Sequence, residues 1–352
     1  MFEIAQQLLD AVAESGVIAV ATVVAVEGSA PRTVGTSMAF DGRAVIASIA
    51  GGCVEGAVVE TCSLVLADGI ARTVEYGFDS LSAFSVGLSC GGRLRVHVEL
   101  VDRGHPVIHE WRNAVSGLET SRLSVLSGNP AGHEMRLATE FEAHRSRGVS
   151  GTTLLDCDDE PLEVFFEVSA VPPRLIIFGA MDYSAALSRA AQALGYRVTV
   201  CDPRALFATP TRFPGAEIVV AWPASYLLQT ETDARTVICV LSHDARFDND
   251  VLEQALALPV AFVGAMGSRR THEERVAVLR VRGVSDEAIS RMHSPIGLDI
   301  GASSPAETAL SILAEIVAAR SGASAAPLSA GSGPIHRPHP AFVQRRHGRL
   351  AQ

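Results

Sequence analysis

Apolar residues fall into two rhythms along the chain, with the change near residue 174. In "MFEIAQQLLDAVAESG", Ile4, Leu8, Leu9 and Val12 share one helical face and predict an amphipathic helix. "VIAVATVVAV" (17–26) is valine-rich and too short to span a bilayer as a helix, so it predicts a buried strand. Val54, Val58, Cys62, Val65 and Leu66 recur at helical spacing and predict a helix from about Val54 to Ala67. In "RLRVHVEL", Leu94, Val96, Val98 and Leu100 alternate with Arg93, Arg95, His97 and Glu99, the pattern of a half-buried strand. From Val101 to Pro173 the signal weakens to short strand candidates, "RLSVLSG" and "LEVFFEV", between polar loops, and it closes on "VPP", a linker signal.

From Arg174 onward, strand, turn and helix repeat. "RLIIFG", "RVTVCD", "EIVV", "TVICVL" and "VAFVG" read as strands. "SAALSRAAQALG" reads as a helix with Ser184 at its N-cap and Gly195 as terminator, and "DNDVLEQALAL" as a helix starting near Asp248. "SPAETALSILAEIVAAR" carries a full start signal: Ser304 caps, Pro305 sits in the first turn, and Glu307 completes a capping box. Near-continuous apolar strands between amphipathic helices describe a parallel sheet covered on both faces. The expected organisation is α/β: an α+β domain over 1–105, a weakly patterned connecting region over 106–173, a doubly wound parallel-sheet domain over 174–320, and a disordered tail over 321–352.

Composition narrows the function. With 352 residues, 48% hydrophobic and 19% charged, the chain can fill two cores. A net charge of −10 offers no basic field for nucleic acid, although a small anion needs only local donors. All 29 Lys/Arg residues are arginine, which removes Schiff-base chemistry and the lysine of a P-loop. The acidic start resembles no secretory signal. Six cysteines without framework spacing then read as reduced thiols of a cytoplasmic protein without a membrane span.

The chemistry concentrates on two glycine-flanked thiols. In "AGGCVEGA", Gly51 and Gly52 permit positive φ and close approach of a ligand beside Cys53, at the start of a helix whose dipole favours thiolate. In "SCGG", Gly91 and Gly92 strip side chains from around Cys90, just before a strand. Cys62, Cys201 and Cys239 lie on apolar faces or strands and read as packing residues, and Cys157 in "DCDDE" has no evident partner. No Cys-x-x-Cys pair supports zinc. "EGSAPRTVGTSM" (27–38) adds Ser29 and Arg32 among hydroxyls and glycines, a set suited to phosphate. Glu55 fits either a ligand amide or a solvated first-turn carboxylate.

"EGSAPRTVGTSM", "ASIAGGCVEGAV" and "GLSCGGRLRVHVE" resemble, in that order, the N-terminal domain of the XdhC/CoxI family. "RLIIFGA", "GYRVTVCDPR", "LSHDARFD", "AFVGAMGSRRTHEER" and "SPIGLDIGASSPAETALSILAEIVAAR" resemble its C-terminal Rossmann domain. The resemblance implies an accessory protein, more a cofactor chaperone than a turnover enzyme. Such a protein binds molybdenum cofactor, as molybdopterin or its cytidine dinucleotide form, and guards it while a cysteine desulfurase exchanges an oxo ligand for sulfur. It then delivers the cofactor to an apo molybdenum hydroxylase of the xanthine, aldehyde or carbon monoxide dehydrogenase type, often as a homodimer. Cys53 or Cys90 then contacts molybdenum, with Arg32 and the Gly51–Gly52 backbone at the phosphate.

Two departures from the family pattern matter. Ala47 and Ala50 stand where relatives usually carry Gly and Ser. The phosphate turn reads "GAMDYSAA", keeping only Gly179 of the glycine pattern and placing Asp182 where a pyrophosphate would lie, which disfavours NAD(P) despite Asp202 at the second strand end. Gly264, Gly267, Ser268 and Arg269 still make an anion loop, and Ser242, His243 and Asp244 stand near a strand end. The alternatives are an NAD(P)-dependent oxidoreductase and an interaction protein that docks desulfurase to dehydrogenase without holding cofactor.

Overall fold

The computed structural model describes residues 1–28, 32–77, 92–156, 161–242 and 244–331. The chain forms two compact units, one built on Met1–Val171 and the other on Pro172–Pro327.

In the first unit, α1 (Ala5–Ser15) leads into β1 (Val17–Glu27). β1 is the central strand of an antiparallel sheet with β2 (Ser37–Phe40), β3 (Val45–Ala47), β4 (Arg72–Tyr76) and β5 (Arg93–Asp102), in the order β3-β2-β1-β5-β4. The helix expected from Val54 is α2 (Glu55–Asp68), closed by Gly69 in the left-handed conformation. Val54, Val58, Cys62 and Val65 are fully buried against Ala19, Ala21 and Val23 of β1 and Leu94, Val96 and Val98 of β5. Each valine so buried is worth about 1.5–3 kcal/mol over exposure. On the opposite face α1 inserts Leu8 and Val12 beside Ile18 and Val20.

The segment after β5 folds as α3 (Val107–Val115), β6 (Thr120–Ser127), α4 (Glu134–Arg147), β7 (Gly151–Leu155) and β8 (Leu162–Ser169), its strands forming an antiparallel sheet in the order β6-β8-β7. This second sheet changes the reading of β5, whose alternation suggested one wet face. Arg95 and His97 are only 2% and 8% exposed. Arg95 pairs with Glu163 of β8 through both terminal guanidinium nitrogens, Nη1 and Nη2, and Arg122 of β6 grips Glu99 at 2.8 and 2.9 Å. His97 bonds Thr73 at 2.9 Å, and burial keeps its imidazole pKa below the ordinary value. Polar side chains on that face are therefore satisfied, Arg95 and Glu99 across a sheet-on-sheet contact and His97 by its neighbour on β4.

The second unit is a parallel six-stranded sheet of β9 (Arg174–Phe178), β10 (Arg197–Cys201), β11 (Glu217–Val219), β12 (Val237–Val240), β13 (Phe262–Ala265) and β14 (Met292–His293). Its order, β11-β10-β9-β12-β13-β14, is that of the doubly wound Rossmann fold. The helices are α5 (Asp182–Ala193), α6 (Pro223–Leu227), α7 (Ala245–Ala257), α8 (Arg269–Val281), α9 (Asp286–Ser290) and α10 (Pro305–Ser321). The capping box of α10 forms as its sequence predicts. Ser184 does not cap α5. The helix starts two residues earlier, and Ser184 is fully buried with its hydroxyl donating to Gly179 O at 2.5 Å. Of the tail read beyond residue 320, positions 332–352 lie outside the described residues.

Candidate functional site

Antiparallel pairing brings the glycine-bearing loops around Arg32, Cys53, Gly77 and Gly92 to one end of the sheet. Glu27 at the close of β1 pairs with Arg93 at the start of β5, and Tyr76 at the close of β4 pairs with Leu94. On the other side of β1, Thr22 faces Ser37 at the start of β2, and Met38 faces Ala47 at the close of β3. Gly28, Arg32–Thr36, Ser48–Val54, Gly77 and Gly92 therefore all leave the sheet at the same end. Ser29, Cys90 and Gly91 lie outside the described residues, as do Cys157 and His243.

The loop around Cys53 is built from within. Ala47 enters it at φ 61°, a left-handed conformation costing a side-chain-bearing residue about 1–2 kcal/mol. Gly51 and Gly52 follow at φ 73° and 113°, and a Cβ on either would meet nothing within 4 Å. Their outer faces are open, as is Gly56 in the first turn of α2. Cys53 is in no disulfide, is half-buried, and leans on the core beneath α2. The other described cysteines are sealed: burial pushes the thiols of Cys62 and Cys201 up to about 12, and that of Cys239 also rises. Cys53 is thus the half-open thiol among the described residues.

Glu55 organises the loop. One carboxylate oxygen accepts from the Ser48 hydroxyl at 2.6 Å and Ala50 N at 2.9 Å, and the other from Gly52 N at 2.8 Å and Val54 N at 3.2 Å. Ser48 Oγ in turn accepts from Gly51 N at 3.0 Å. The donors that the sequence offered to a phosphate at Gly51 and Gly52 are therefore engaged inside the loop. Partial burial raises the Glu55 pKa, but the Ser48 hydroxyl and the amides outweigh it and bring the group to about 2. A folded value below the reference 4.5 gives stability that is present above about pH 4.5 and lost as pH falls through about 2. Glu55→Gln is accordingly expected to unfold at lower urea than the native chain near neutrality, with the gap closing between pH 4.5 and 2 in denaturation midpoints. A gap independent of pH refutes the carboxylate's role. Ser48 carried no motif signal; only the seven-residue reach between a hydroxyl and a first-turn acid hinted at it.

Arg32 is exposed at the same end of the sheet, whereas Ser37 is turned inward to Thr22 at 2.8 Å. Among the described residues no group of three or more His, Cys, Asp or Glu side chains is placed to hold a metal.

The second unit's residues are committed to structure. Asp202, fully buried, accepts from Ala180 N at 2.8 Å and from the Arg204 guanidinium at 2.8 and 2.9 Å. Burial opposes its charge, but Arg204 and the amides hold its pKa below the ordinary value. Asp182, expected to repel a pyrophosphate, is paired with Arg212 at 2.9 Å. Ser242 donates to Asp248, whose other oxygen meets Arg275 at 3.0 Å. Gly264 is packed so closely by Ile296 and Phe262 that a Cβ would lie within 2.3 Å of the former. Gly267 sits against Arg275 and Thr271, and Ser268 Oγ caps α8 by accepting from Thr271 N at 3.1 Å, leaving Arg269 exposed in the first turn. A cavity of about 530 Å³ lies at the opposite, amino-terminal ends of β9 and β10, lined by Arg174, Arg197 and Glu217. Ligands of such sheets bind at the carboxyl ends.

Comparison with known proteins gives a consistent picture. Residues 11–77 match the family model described as the XdhC and CoxI family, and residues 175–316 that of the XdhC Rossmann domain. The chain is 30% identical over 331 residues to a Bacillus subtilis protein named as a probable xanthine dehydrogenase subunit, covering 89% of this chain and 96% of the relative. It is 27% identical over 302 residues to the Escherichia coli molybdenum cofactor insertion chaperone PaoD, covering 85% and 82%. A solved Bacillus halodurans chain described as a xanthine dehydrogenase superposes with a TM-score of 0.59 at 25% identity, covering 92% of this chain and 98% of that one.

Proposed function

Because the chain belongs to the XdhC and CoxI family, we propose that it carries molybdenum cofactor as cargo and delivers it to a molybdenum hydroxylase of the xanthine dehydrogenase type. The observation that supports this reading is the half-buried Cys53 thiol, flanked by bare glycine faces at the end of the sheet where the Arg32 loop also emerges. Molybdenum cofactor joins a soft-ligand metal centre to a pterin and a phosphate. A thiol suits the first, an unobstructed glycine surface the flat ring, and an exposed guanidinium the last. Cys53 would hold the metal end and Arg32 the phosphate end. Cys90, two residues before Gly92 in sequence, would add a second sulfur. Ser29 would stand with Arg32, and exchange of an oxo ligand for sulfur by a cysteine desulfurase would take place on the bound cargo. The relative named an insertion chaperone supports delivery over turnover. NAD(P) forms no part of the proposal, since Asp202 is already held by Arg204 and Ala180.

The test is co-purification. Protein made in a cell that synthesises the cofactor is expected to carry molybdenum together with a pterin, read by fluorescence after acid–iodine oxidation. A blank in both assays overturns the proposal.

A further inference from the structure

The turn Ala50–Val54 has the outline of an anion site: two glycines at positive φ and a helix start directly behind them. Yet the donors of Ala50, Gly52 and Val54 converge on the Glu55 carboxylate, and that of Gly51 on Ser48. The chain has filled its own oxyanion nest with a side chain anchored one residue inside the helix. Gly51 and Gly52 nevertheless keep open outer faces, so the filling closes the amide side of the turn and leaves bare glycine surface beside the half-buried Cys53 thiol.

We propose that Glu55, seconded by Ser48, is the residue that sets which end of the cargo the Cys53 loop accepts: by occupying the turn's amides it shuts the loop to phosphate and leaves it to grip through the thiol and the bare glycine faces beside it. The orientation half of this inference rests on the function proposed above. The phosphate end then belongs to donors outside the turn, of which the exposed Arg32 guanidinium leaves the same end of the sheet. The alternative arrangement, phosphate on the glycine amides and metal elsewhere, would require Glu55 to be displaced from four hydrogen bonds. Charge-assisted bonds to a carboxylate are individually stronger than neutral ones, and buried donors left unmatched are costly. Glu55 is a positioning residue in this account and never touches the metal.

The experiment uses cofactor-free full-length protein, so it stands apart from whether cofactor binds. Cys53 is alkylated with iodoacetamide, and its rate is followed by peptide mass spectrometry with and without inorganic phosphate. In the native chain phosphate is expected to leave the rate unchanged. In Glu55→Ala the emptied turn loosens and the rate changes by roughly threefold to tenfold, the worth of about one net hydrogen bond. Added phosphate or acetate then refills the nest and restores the native rate. Glu55→Gln keeps an acceptor and most of the volume, so it guards against a folding defect, and it is expected to fall between the two. Native protein responding to phosphate as Glu55→Ala does would overturn the proposal. So would a Glu55→Ala thiol that keeps the native rate and ignores phosphate, or one that alters its rate but cannot be rescued by either anion.

Discussion

Replacing Cys53 by alanine is expected to lower the molybdenum and pterin carried by the purified protein by tenfold or more while leaving the fold intact. The size follows from the bond removed. Groups that merely orient a metal ligand already change metal affinity about 10–100-fold, and the ligand itself counts for at least as much. The fold survives because Cys53 is half-buried, sits outside α2, and rests on the core without filling it. Cys62→Ala is the matched control. Its sulfur is fully buried among Val58, Val65 and Tyr76, so the variant loses stability by about 1 kcal/mol or more and keeps its cargo. The two variants separate a ligand from a packing thiol. Hydroxylase activation by the Cys53 variant is expected to fall in step with the pterin. Normal activation by Cys53→Ala and Cys90→Ala together would instead favour a scaffold that docks partners without holding cofactor.

Much of the architecture was readable because it rests on periodicity. The apolar spacing of α1 and α2, the valine run of β1 and the capping box of α10 each encode a local choice that tertiary packing only reinforces. Two kinds of feature were not readable. Arg95 and His97 look like a solvated face because alternation reports polarity, and polarity normally means water. Here it means Glu163 and Thr73, residues 68 and 24 positions away, which no local pattern can announce. Ser184 looks like a cap because it precedes an alanine-rich helix, yet the turn at Gly179 lets α5 begin at Asp182 and draws the hydroxyl inward. The candidate site divides the same way. Cys53 and its glycines were visible as a motif, and the convergence of their loop with that of Arg32 follows only from strand register. The role of Glu55 needed the folded turn, since a first-turn acid is ordinary in any helix.

Separating Arg95 from Glu163 is expected to be the most destabilising single change in the first unit. Both side chains are almost wholly buried, their paired hydrogen bonds join β5 to β8, and Glu75 stands 3.7 Å from the guanidinium as a second, weaker neighbour. A buried charge stripped of its partner typically costs about 3–5 kcal/mol, because the desolvation penalty stays and the compensation goes. Arg95→Met leaves Glu163 as that orphan. Glu163→Leu does the same to Arg95, partly relieved by Glu75, and is expected to cost less. The double variant Arg95→Met/Glu163→Leu removes both charges and fills the space with hydrocarbon, and it is expected to recover most of the loss. Urea unfolding of the four proteins measures the coupling, and a double variant as unstable as the sum of its singles rejects the paired-charge account. The cargo assay supplies the functional half. β5 begins at Arg93, directly after Gly92 at the loop end of the sheet, and its register there is fixed by Glu27. Arg95→Met should therefore lose pterin in proportion to its unfolded fraction. The double variant, with the sheet contact rebuilt from apolar atoms, should carry pterin at the native level, since nothing in the Cys53 loop depends on the charge of that pair.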